Sequence, residues 1–389
     1  MRILWIETIS DLGGAQCSLY EACTRLAANP KIELAVALPR GELADRLKTA
    51  GVKTFEINAI RPRLKGFGLF GMLANLFQST APLKRAIFKF SPDIIHANST
   101  IAHLATAPLV KDIPMILHLR DIRVPRQLFR KIADHSAAIV CVSEEVEHFI
   151  ARILPMRYFS KVQKIANGID TERFVPGDKA AAREKFKLPQ NVPIIGMAAH
   201  LIPWKRHHVF VRAAALILEK FPDAHFVIAG RLMRRENRNV EKSLQGLIGK
   251  LELTDRVHWI TDCNDLEHLY PAFDLLIHPA IGEPFGRVVC EAMACGIPVV
   301  AAIPGGPEEI INDGANGILV EDGRSPDLAN AAIRLLENPD KLTALAAKAR
   351  PAVLKRFDRS RVATELADLY EKILHQYKDW SEDDEFGQH

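Results

Sequence analysis

The sequence predicts an α/β protein built from two doubly wound parallel sheets that face each other across a cleft. Apolar runs of four to six residues alternate with longer helical patterns along the chain. The runs are apolar on both faces, as in parallel strands that helices cover on either side. The alternation occurs twice, with a turn-rich break near Asn167, and 389 residues suffice for two such domains.

Each half of the chain supplies six predicted strands. Those of the first half are Arg2–Glu7, Glu33–Leu38, Lys53–Ile57, Asp93–His96, Pro114–Leu119 and Ala137–Val142. Those of the second half are Pro193–Ala198, Ala224–Ala229, Arg256–Ile260, Asp274–His278, Pro298–Ala302 and Gly317–Val320. Longer periodic stretches such as Ala15–Ala28 lie between these runs and are predicted to be helices.

Composition excludes several classes of protein. Hydrophobic residues make up 48% of the chain and charged residues 25%, values that exclude disordered and fibrous proteins. No apolar run reaches the roughly 18 residues of a membrane-spanning helix. The N-terminus lacks the pattern of a signal peptide, so we expect a cytoplasmic protein. The six cysteines are scattered without C-x-x-C spacing, which favours reduced thiols over disulfides or zinc sites.

Charge is distributed unevenly. Residues 1–165 contain 23 Lys and Arg against 14 Asp and Glu, whereas residues 166–389 contain 28 against 33. This asymmetry indicates two domains with different partners. A basic first half suits nucleic acid, an anionic membrane or a phosphorylated substrate.

Polar residues that follow predicted strands are the first candidates for a site, because open parallel sheets bind ligands beyond the carboxyl ends of their strands. Gly13 and Gly14 precede a predicted helix, where backbone N–H groups approach anions; a simple tight turn is the alternative. His96 and His118 close predicted strands, a position where a structural role is also common.

The strongest stretch is Gly282–Val300, in which Glu283 lies in the loop after a strand and a helix begins near Gly286. The N–H groups of Phe285, Gly286 and Arg287 would form an anion or hydroxyl cradle at the positive end of that helix. Glu291 lies over a turn further on, among apolar neighbours. Its carboxylate suits a ribose diol, and a solvated helix face is the alternative.

Glu283 and Glu291 stand eight positions apart in EPFGRVVCEAMACGIPVV, which resembles the signature of retaining glycosyltransferase family 4, the glycosyl transferases group 1. Further segments match the family in the expected order: Gly13-Gly14, Val142–Glu144, Asn167–Asp170, Gly305–Ile310 and Asp313–Val320. The resemblance implies the GT-B fold. It predicts an acceptor-binding domain at 1–166 and a nucleotide-sugar domain at 167–360. It also predicts, at 361–389, a helix that crosses back to the first domain and an acidic tail.

The resemblance also assigns roles. It implies a UDP- or GDP-linked sugar as donor and a carbohydrate or lipid-linked hydroxyl as acceptor. Glu291 would bind the ribose and Lys205 the diphosphate, while Glu283 and His118 would be the catalytic residues beside the donor sugar. The weaker acceptor-side candidates are His96, Arg120 and Asp121.

One position departs from the family. The chain has Ala199-His200-Leu201 where members typically have Gly-Arg-Leu. Either the diphosphate charges His200, or another cation such as Arg206 or Arg231 substitutes. The departure also raises the prospect of a catalytically degenerate nucleotide-sugar-binding protein.

The predicted function is retaining, metal-independent sugar transfer, in cell-surface polysaccharide or glycolipid synthesis. No Asp-x-Asp metal motif is present, and Lys205 would offset the diphosphate charge, so no cofactor or metal is expected. A nucleotide-sugar 2-epimerase of the same fold is the enzymatic alternative. A solute-binding protein would carry an export signal, and a nucleic-acid binder would leave the two glutamates unused.

Residues 57–92 predict a membrane-surface role, and the family resemblance implies that this surface is the inner face. They contain six Lys or Arg and no acidic residue, with apolar residues at helical spacing. The basic residues are Arg61, Arg63, Lys65, Lys84, Arg85 and Lys89, and the apolar ones include Leu69, Met72, Leu73, Leu76, Phe77, Leu83, Ile87 and Phe88. The alternative is that these apolar residues pack on the domain's own sheet.

Overall fold

The computed structural model describes residues 1–60, 80–121, 126–231, 238–261 and 265–386, and of these only the backbone at 126–128 and 378–386. Its contacts divide the chain into two units. The first comprises residues 1–168 and 359–389, and the second comprises residues 169–358. Each unit contains one parallel sheet flanked by helices, which confirms the predicted class of two doubly wound α/β sheets.

Seven strands form the sheet of the first unit: β1 (Arg2–Ile6), β2 (Glu33–Leu38), β3 (Lys53–Glu56), β4 (Ile94–Ala97), β5 (Met115–Leu119), β6 (Ala138–Cys141) and β7 (Val162–Lys164). They pair in the order β3-β2-β1-β4-β5-β6-β7. The order reverses between β1 and β4, so their carboxyl ends flank a switch point. The sequence did not predict β7, because its three residues are polar apart from Val162 and none is buried.

The helices of this unit connect successive strands and lie on both faces of the sheet. They are α1 (Gly14–Ala27), α2 (Glu42–Thr49), α3 (described over residues 80–90), α4 (Thr100–Thr106), α5 (Arg126–Asp134) and α6 (Glu144–Ala151). Ser99 and Ser143 begin α4 and α6 by accepting backbone N–H bonds through their hydroxyls, as helix N-caps do.

Six parallel strands form the second sheet: β8 (Ile194–Ala198), β9 (His225–Ala229), β10 (Val257–Ile260), β11 (Leu275–His278), β12 (Val299–Ile303) and β13 (Ile318–Glu321). Their order is β10-β9-β8-β11-β12-β13, with the reversal between β8 and β11. The helices are α7 (Lys179–Lys185), α8 (His207–Leu218), α9 (Arg238–Lys250), α10 (Leu266–Leu269), α11 (Arg287–Ala294), α12 (Pro307–Ile310), α13 (Ser325–Leu336) and α14 (Pro339–Phe357).

The last helix, α15 (Arg359–Phe386), belongs to the first unit. It packs against α1, and its buried residues Leu366 and Tyr370 share a core with Trp5 and Leu19. The sequence predicts residues 381–385 as a tail after this helix, but in the structure their backbone continues α15. No glycine or proline interrupts the helix before Gly387, and that accounts for the difference.

Two further observations concern the length of the helices and the state of the cysteines. Within the described ranges, no helix combines the length and apolarity needed to cross a bilayer. The five described cysteines are free thiols, and four of them are buried. Cys263 lies outside the described residues.

Candidate functional site

Glu283 is the centre of a buried charged cluster in the second unit. It lies in the loop after β11, and only 7% of its surface is exposed. Lys205 Nζ donates to its carboxylate, and His278 Nε2 lies 3.3 Å from the same oxygen. Lys205 itself ends a short 3-10 turn after β8, with Nζ 4.1 Å from the centroid of the Trp204 ring.

The cluster keeps Glu283 ionised. Burial alone would raise the pKa of this carboxyl, but the Lys205 ammonium and the neighbouring His278 imidazole outweigh burial and lower the pKa to about 2. A buried cation and anion therefore face each other at the carboxyl ends of neighbouring strands β8 and β11. Such a pair is suited to rearrange around an incoming anion.

Two glycines set the shape of the Glu283 loop. Gly286 precedes α11 with a φ of +98°, which glycine adopts without strain. A Cβ at Gly306 would stand 2.3 Å from the Phe285 carbonyl oxygen, so no larger residue fits there. The Gly306 N–H donates to the Glu283 carbonyl at 2.7 Å, and this bond fixes the loop against the segment after β12.

Glu291 is buried on the first turns of α11. It is 6% exposed, so the solvated-face alternative is wrong. Its two oxygens accept from Tyr270 Oη at 3.1 Å and from Arg287 Nη2 at 3.0 Å. Phe285 is also buried, with its ring 5.5 Å from the Phe357 ring, so only its backbone is suited to contact a ligand.

His200 and Arg231 follow the neighbouring strands β8 and β9. Burial, followed by the charges of Lys205 and Arg231, lowers the pKa of His200 to about 4. His200 is therefore neutral at pH 7 in the ligand-free protein. Arg206, the other candidate substitute, donates from Nη1 to the carbonyls of Pro279 at 3.1 Å and Asp322 at 3.2 Å, and so joins two loops.

The first unit holds a second polar cluster, built around Glu7 at the carboxyl end of β1. Its carboxylate accepts from Gln16 Nε2 at 3.2 Å and from Asn98 Nδ2 at 2.6 Å. The Asn98 amide oxygen in turn accepts from Arg120 Nε at 2.8 Å. Arg120 also donates to the side-chain oxygen of Asn167. The side-chain amides of Asn98 and Asn167 thus hold the Arg120 guanidinium in place.

The two candidate histidines of this unit form a hydrogen-bonded pair. His96 Nε2 lies 3.0 Å from His118 Nδ1, and His96 Nδ1 lies 2.7 Å from Tyr370 Oη on α15. Trp5 stacks on the His96 ring at 3.7 Å. Both histidines are at most 2% exposed, and burial with the nearby Arg120 charge lowers the pKa of each well below 6.5.

The remaining predicted residues lie at the edges of these clusters. Gly13 is the N-cap of α1, with extended backbone, and Gly14 is the first residue of that helix. Asp121 is exposed and directly follows Arg120, next to residues outside the described ranges. The candidates therefore form two groups, one in each unit.

Sequence reasoning missed several members of both clusters. The missed residues are Trp5, Glu7, Asn98, His278 and Tyr370. Glu7, Asn98 and His278 carried the same signal as the candidates that were found, a polar residue at or just after the end of an apolar strand. Trp5 and Tyr370 carried none, because an aromatic residue in a strand or on a helix face is an ordinary core residue.

The structure also groups possible metal ligands. Within the described ranges, Asp265, Glu267 and His268 are the one set of three whose ligand atoms lie together. Asp265 and Glu267 are already paired with Lys185 and Arg173. We assign no metal to this set.

Comparison with known families decides what these clusters belong to. The model of glycosyl transferases group 1 matches residues 178–351, and the model of glycosyltransferase family 4 matches residues 12–173. The chain belongs to the group 1 family of GT-B glycosyltransferases. The charged cluster of this group 1 member lies within the first match, and the histidine pair lies within the second.

Curated relatives and solved structures agree with this membership. The D-inositol 3-phosphate glycosyltransferase of Rhodococcus jostii is 32% identical over 54% of this chain and 47% of its own length. That of Nocardia farcinica is 29% identical over 73% and 62%. This group 1 chain thus spans about half the length of the first of these curated relatives. The Anabaena HepE structure with UDP-glucose is 25% identical, with a TM-score of 0.83, over 96% of this chain and 100% of its own.

Proposed function

We propose that this group 1 family member is a retaining, metal-independent glycosyltransferase. It transfers a sugar from a UDP- or GDP-linked donor to a hydroxyl of a carbohydrate or lipid-linked acceptor, in cell-surface polysaccharide or glycolipid synthesis. The second unit binds the donor and the first unit binds the acceptor.

One observation carries this proposal: Lys205, Glu283 and Glu291 lie together around the start of α11, each at most 13% exposed at the side chain. A buried ammonium and a helix N-terminus suit a diphosphate, and a buried carboxylate one turn further on suits a ribose diol. Placed between them, Glu283 would meet the hydroxyls and anomeric carbon of the sugar.

The transfer would occur on one face of the sugar. The acceptor oxygen forms a bond to the anomeric carbon as the bond to the diphosphate oxygen breaks, through an oxocarbenium-like state. The acceptor proton passes to the departing phosphate oxygen. The α11 N-terminus and Lys205 would stabilise the negative charge that grows on the diphosphate, and Glu283 would stabilise the positive charge on the sugar.

Metal independence follows from the role given to Lys205. We expect sugar transfer to continue in excess EDTA, because an ammonium and backbone N–H groups do the work of a divalent cation. Complete loss of transfer that Mg²⁺ or Mn²⁺ restores would contradict this part of the proposal.

The donor is identified by a thermal-shift screen of nucleotide sugars. A UDP-sugar is the first candidate, because the Anabaena protein was solved with UDP-glucose. A ligand at 100 times its dissociation constant adds about 2.7 kcal/mol to the stability of the folded protein. We expect UDP- or GDP-sugars to raise the melting temperature of the protein and other nucleotides to leave it unchanged. No shift with any of them would contradict the donor assignment.

The acceptor candidates now include a phosphorylated polyol. The curated relatives are D-inositol 3-phosphate glycosyltransferases, and the first half of this chain is basic. Transfer to D-inositol 3-phosphate and to a lipid-linked sugar, measured by mass spectrometry with the donor from the screen, separates the two classes.

A nucleotide-sugar 2-epimerase is the second candidate function, and the acceptor requirement separates it from a transferase. An epimerase converts the donor sugar at carbon 2 without any acceptor, whereas a transferase forms product only when acceptor is present. We expect product to depend on acceptor. A catalytically degenerate protein would bind the donor and convert it in neither assay.

We further propose that the first unit docks peripherally on anionic membranes. The part of the predicted segment at 61–79 lies outside the described residues, but α3 presents Phe88, 85% exposed, beside Lys84, Arg85 and Lys89. Leu83 and Ile87 of the same helix pack in the core, as the alternative interpretation predicts.

The membrane proposal is tested by co-sedimentation with liposomes. We expect the protein to bind anionic but not neutral liposomes, and we expect salt to reverse this binding. Equal binding to both, or to neither, would contradict it.

A further inference from the structure

The neighbours of Tyr370 fix the direction of its hydrogen bonds. Trp5 Nε1 is always a donor, and it lies 3.1 Å from Tyr370 Oη. The phenol oxygen therefore accepts on that side, and among the described residues the acceptor within reach of its own proton is His96 Nδ1, 2.7 Å away. Burial raises the pKa of Tyr370 well above its usual value, so the phenol keeps this proton.

The same reasoning continues through His96. The ring is neutral, because burial and then Arg120 lower its pKa, and a neutral imidazole carries a single proton. Since Nδ1 accepts from Tyr370, that proton is on Nε2, which donates to His118 Nδ1 at 3.0 Å. The Trp5 indole, stacked within 10° of parallel, holds the ring in this orientation.

Arg120 leads to the same result for His118 independently. A guanidinium has only donors, and Arg120 Nη2 lies 3.3 Å from His118 Nδ1. His118 Nδ1 is therefore an acceptor, and the single proton of this neutral ring is on Nε2. Nε2 is buried and has no hydrogen-bond partner among the residues that the structure describes.

We propose that Tyr370 and His96 are positioning residues that hold His118 as its Nε2–H tautomer, so that His118 donates a hydrogen bond to a sugar oxygen and cannot act as a base. The sugar contact rests on the proposed function, whereas the tautomer does not. A buried N–H without a partner is unfavourable, and an acceptor oxygen of a ligand would satisfy it. The terminal helix α15 thus contributes to the site through Tyr370.

The tautomer is tested by ¹⁵N NMR of the ligand-free protein labelled at histidine. Signals of His118 and His96 are assigned from their loss in His118→Gln and His96→Gln, and are followed from about pH 5.5 to pH 8.5. We expect a protonated Nε2 and a bare Nδ1 on both rings throughout. A proton on His118 Nδ1, or a doubly protonated His118 in this range, would overturn the proposal. Failure of the proposed function would look different: no nucleotide sugar would bind although the tautomers are as expected.

The role of Tyr370 is tested with Tyr370→Phe, which keeps the ring and removes the O–H donor. We expect the His96 Nδ1 shift to move toward that of a nitrogen without a hydrogen bond. We also expect kcat to fall about 3- to 10-fold with little change in the KM for donor. Tyr377→Phe is the matched control, because Tyr377 lies on the same helix and is 46% exposed. An unchanged His96 shift and an unchanged kcat in Tyr370→Phe would overturn the positioning role.

Conservative rescue provides a second test at His96. A glutamine amide can accept from Tyr370 and donate to His118, as His96 does, whereas leucine can do neither. We expect His96→Gln to retain several times the kcat of His96→Leu. Equal kcat values in two folded variants would contradict the relay from Tyr370 to His118.

Discussion

The two polar clusters both hold buried polar groups at strand ends, but they use different kinds of group. The second unit uses full charges, in the pairs Lys205 with Glu283 and Arg287 with Glu291. The first unit also contains the charged Glu7 and Arg120, but, among the described residues, the buried atom without a partner in this cluster belongs to His118, which forms a neutral, directed pair with His96. A charged pair can exchange a partner for an arriving anion such as a diphosphate, whereas the neutral histidine pair would present one fixed donor to an uncharged group.

This difference indicates which half of the proposed reaction each cluster serves. Negative charge grows on the departing diphosphate, so the cations belong beside it. A sugar hydroxyl carries no charge and is recognised by a hydrogen bond of fixed direction.

The charged side is tested by Glu283→Gln, which keeps the shape of the side chain and removes its charge. We expect turnover to fall about 10²- to 10³-fold, because the positive charge on the reacting sugar loses its partner. Affinity for the bare nucleotide should stay the same or rise, since Lys205 is released from its ion pair.

The matched control for this variant is Glu337→Gln, because Glu337 is an exposed glutamate of the same unit. Steady-state kinetics and calorimetry measure the two quantities. Unchanged turnover in folded Glu283→Gln would remove Glu283 from the mechanism.

The capacity of the first unit to hold a buried histidine neutral is tested at His103, which lies outside the His96–His118 pair and is fully buried beside Ser136. Burial lowers its pKa to about 4, below the value of about 6.5 in an unfolded chain. The unfolded state then binds more protons between these values, so stability is complete above about pH 6.5 and is lost as the pH falls.

His103→Gln removes this titration and still donates to Ser136. We expect the wild type to lose about 1 kcal/mol more unfolding free energy than the variant between pH 7.5 and pH 5.5. Urea unfolding measures this, with His148→Gln as an exposed control in the same unit. Identical losses in wild type and His103→Gln would show that His103 is not held neutral.

The role of charge in the second unit is tested further by His200→Arg, which places a permanent positive charge where the family typically has one. His200 has a pKa of about 4, so the variant adds one charge at every pH above about 6. We expect donor affinity to rise roughly 3- to 10-fold, equally at pH 6.5 and 8.5. A gain confined to high pH would mean that His200 is charged near neutrality, and a loss would mean that the loop is shaped around histidine.

The fold class was predictable because parallel strands buried on both faces leave apolar runs that the sequence displays directly. The sequence did not predict the short strand β7, because two of its three residues are polar and it therefore forms no apolar run. The backbone of the predicted acidic tail at 381–385 continues α15, because charge alone does not end a helix that lacks glycine and proline.

Site residues that lie close together in the sequence were predictable, whereas those that are far apart in the chain were not. Glu283, Gly286 and Glu291 lie within nine positions, so one motif shows them together. The first unit's cluster joins Trp5, His96 and Tyr370, which are far apart in the chain and meet only through the sheet and α15. The neutrality of His200 was also beyond the sequence, because it depends on burial and on two neighbouring cations.

The most direct test of the central claim, that the second unit binds a nucleoside diphosphate, compares two ligands in two variants. Calorimetry measures UDP, or GDP if the screen selects it, and ligand-observed NMR measures the bare nucleoside. Lys205→Met should lower the affinity for the nucleoside diphosphate and leave the affinity for the bare nucleoside unchanged. Lys179→Met is the control, because Lys179 is exposed. Glu291→Gln should weaken both by about 1.5–3 kcal/mol, the contribution of hydrogen bonds to a charged group. Unchanged affinity for both ligands in folded Glu291→Gln and Lys205→Met would contradict the account.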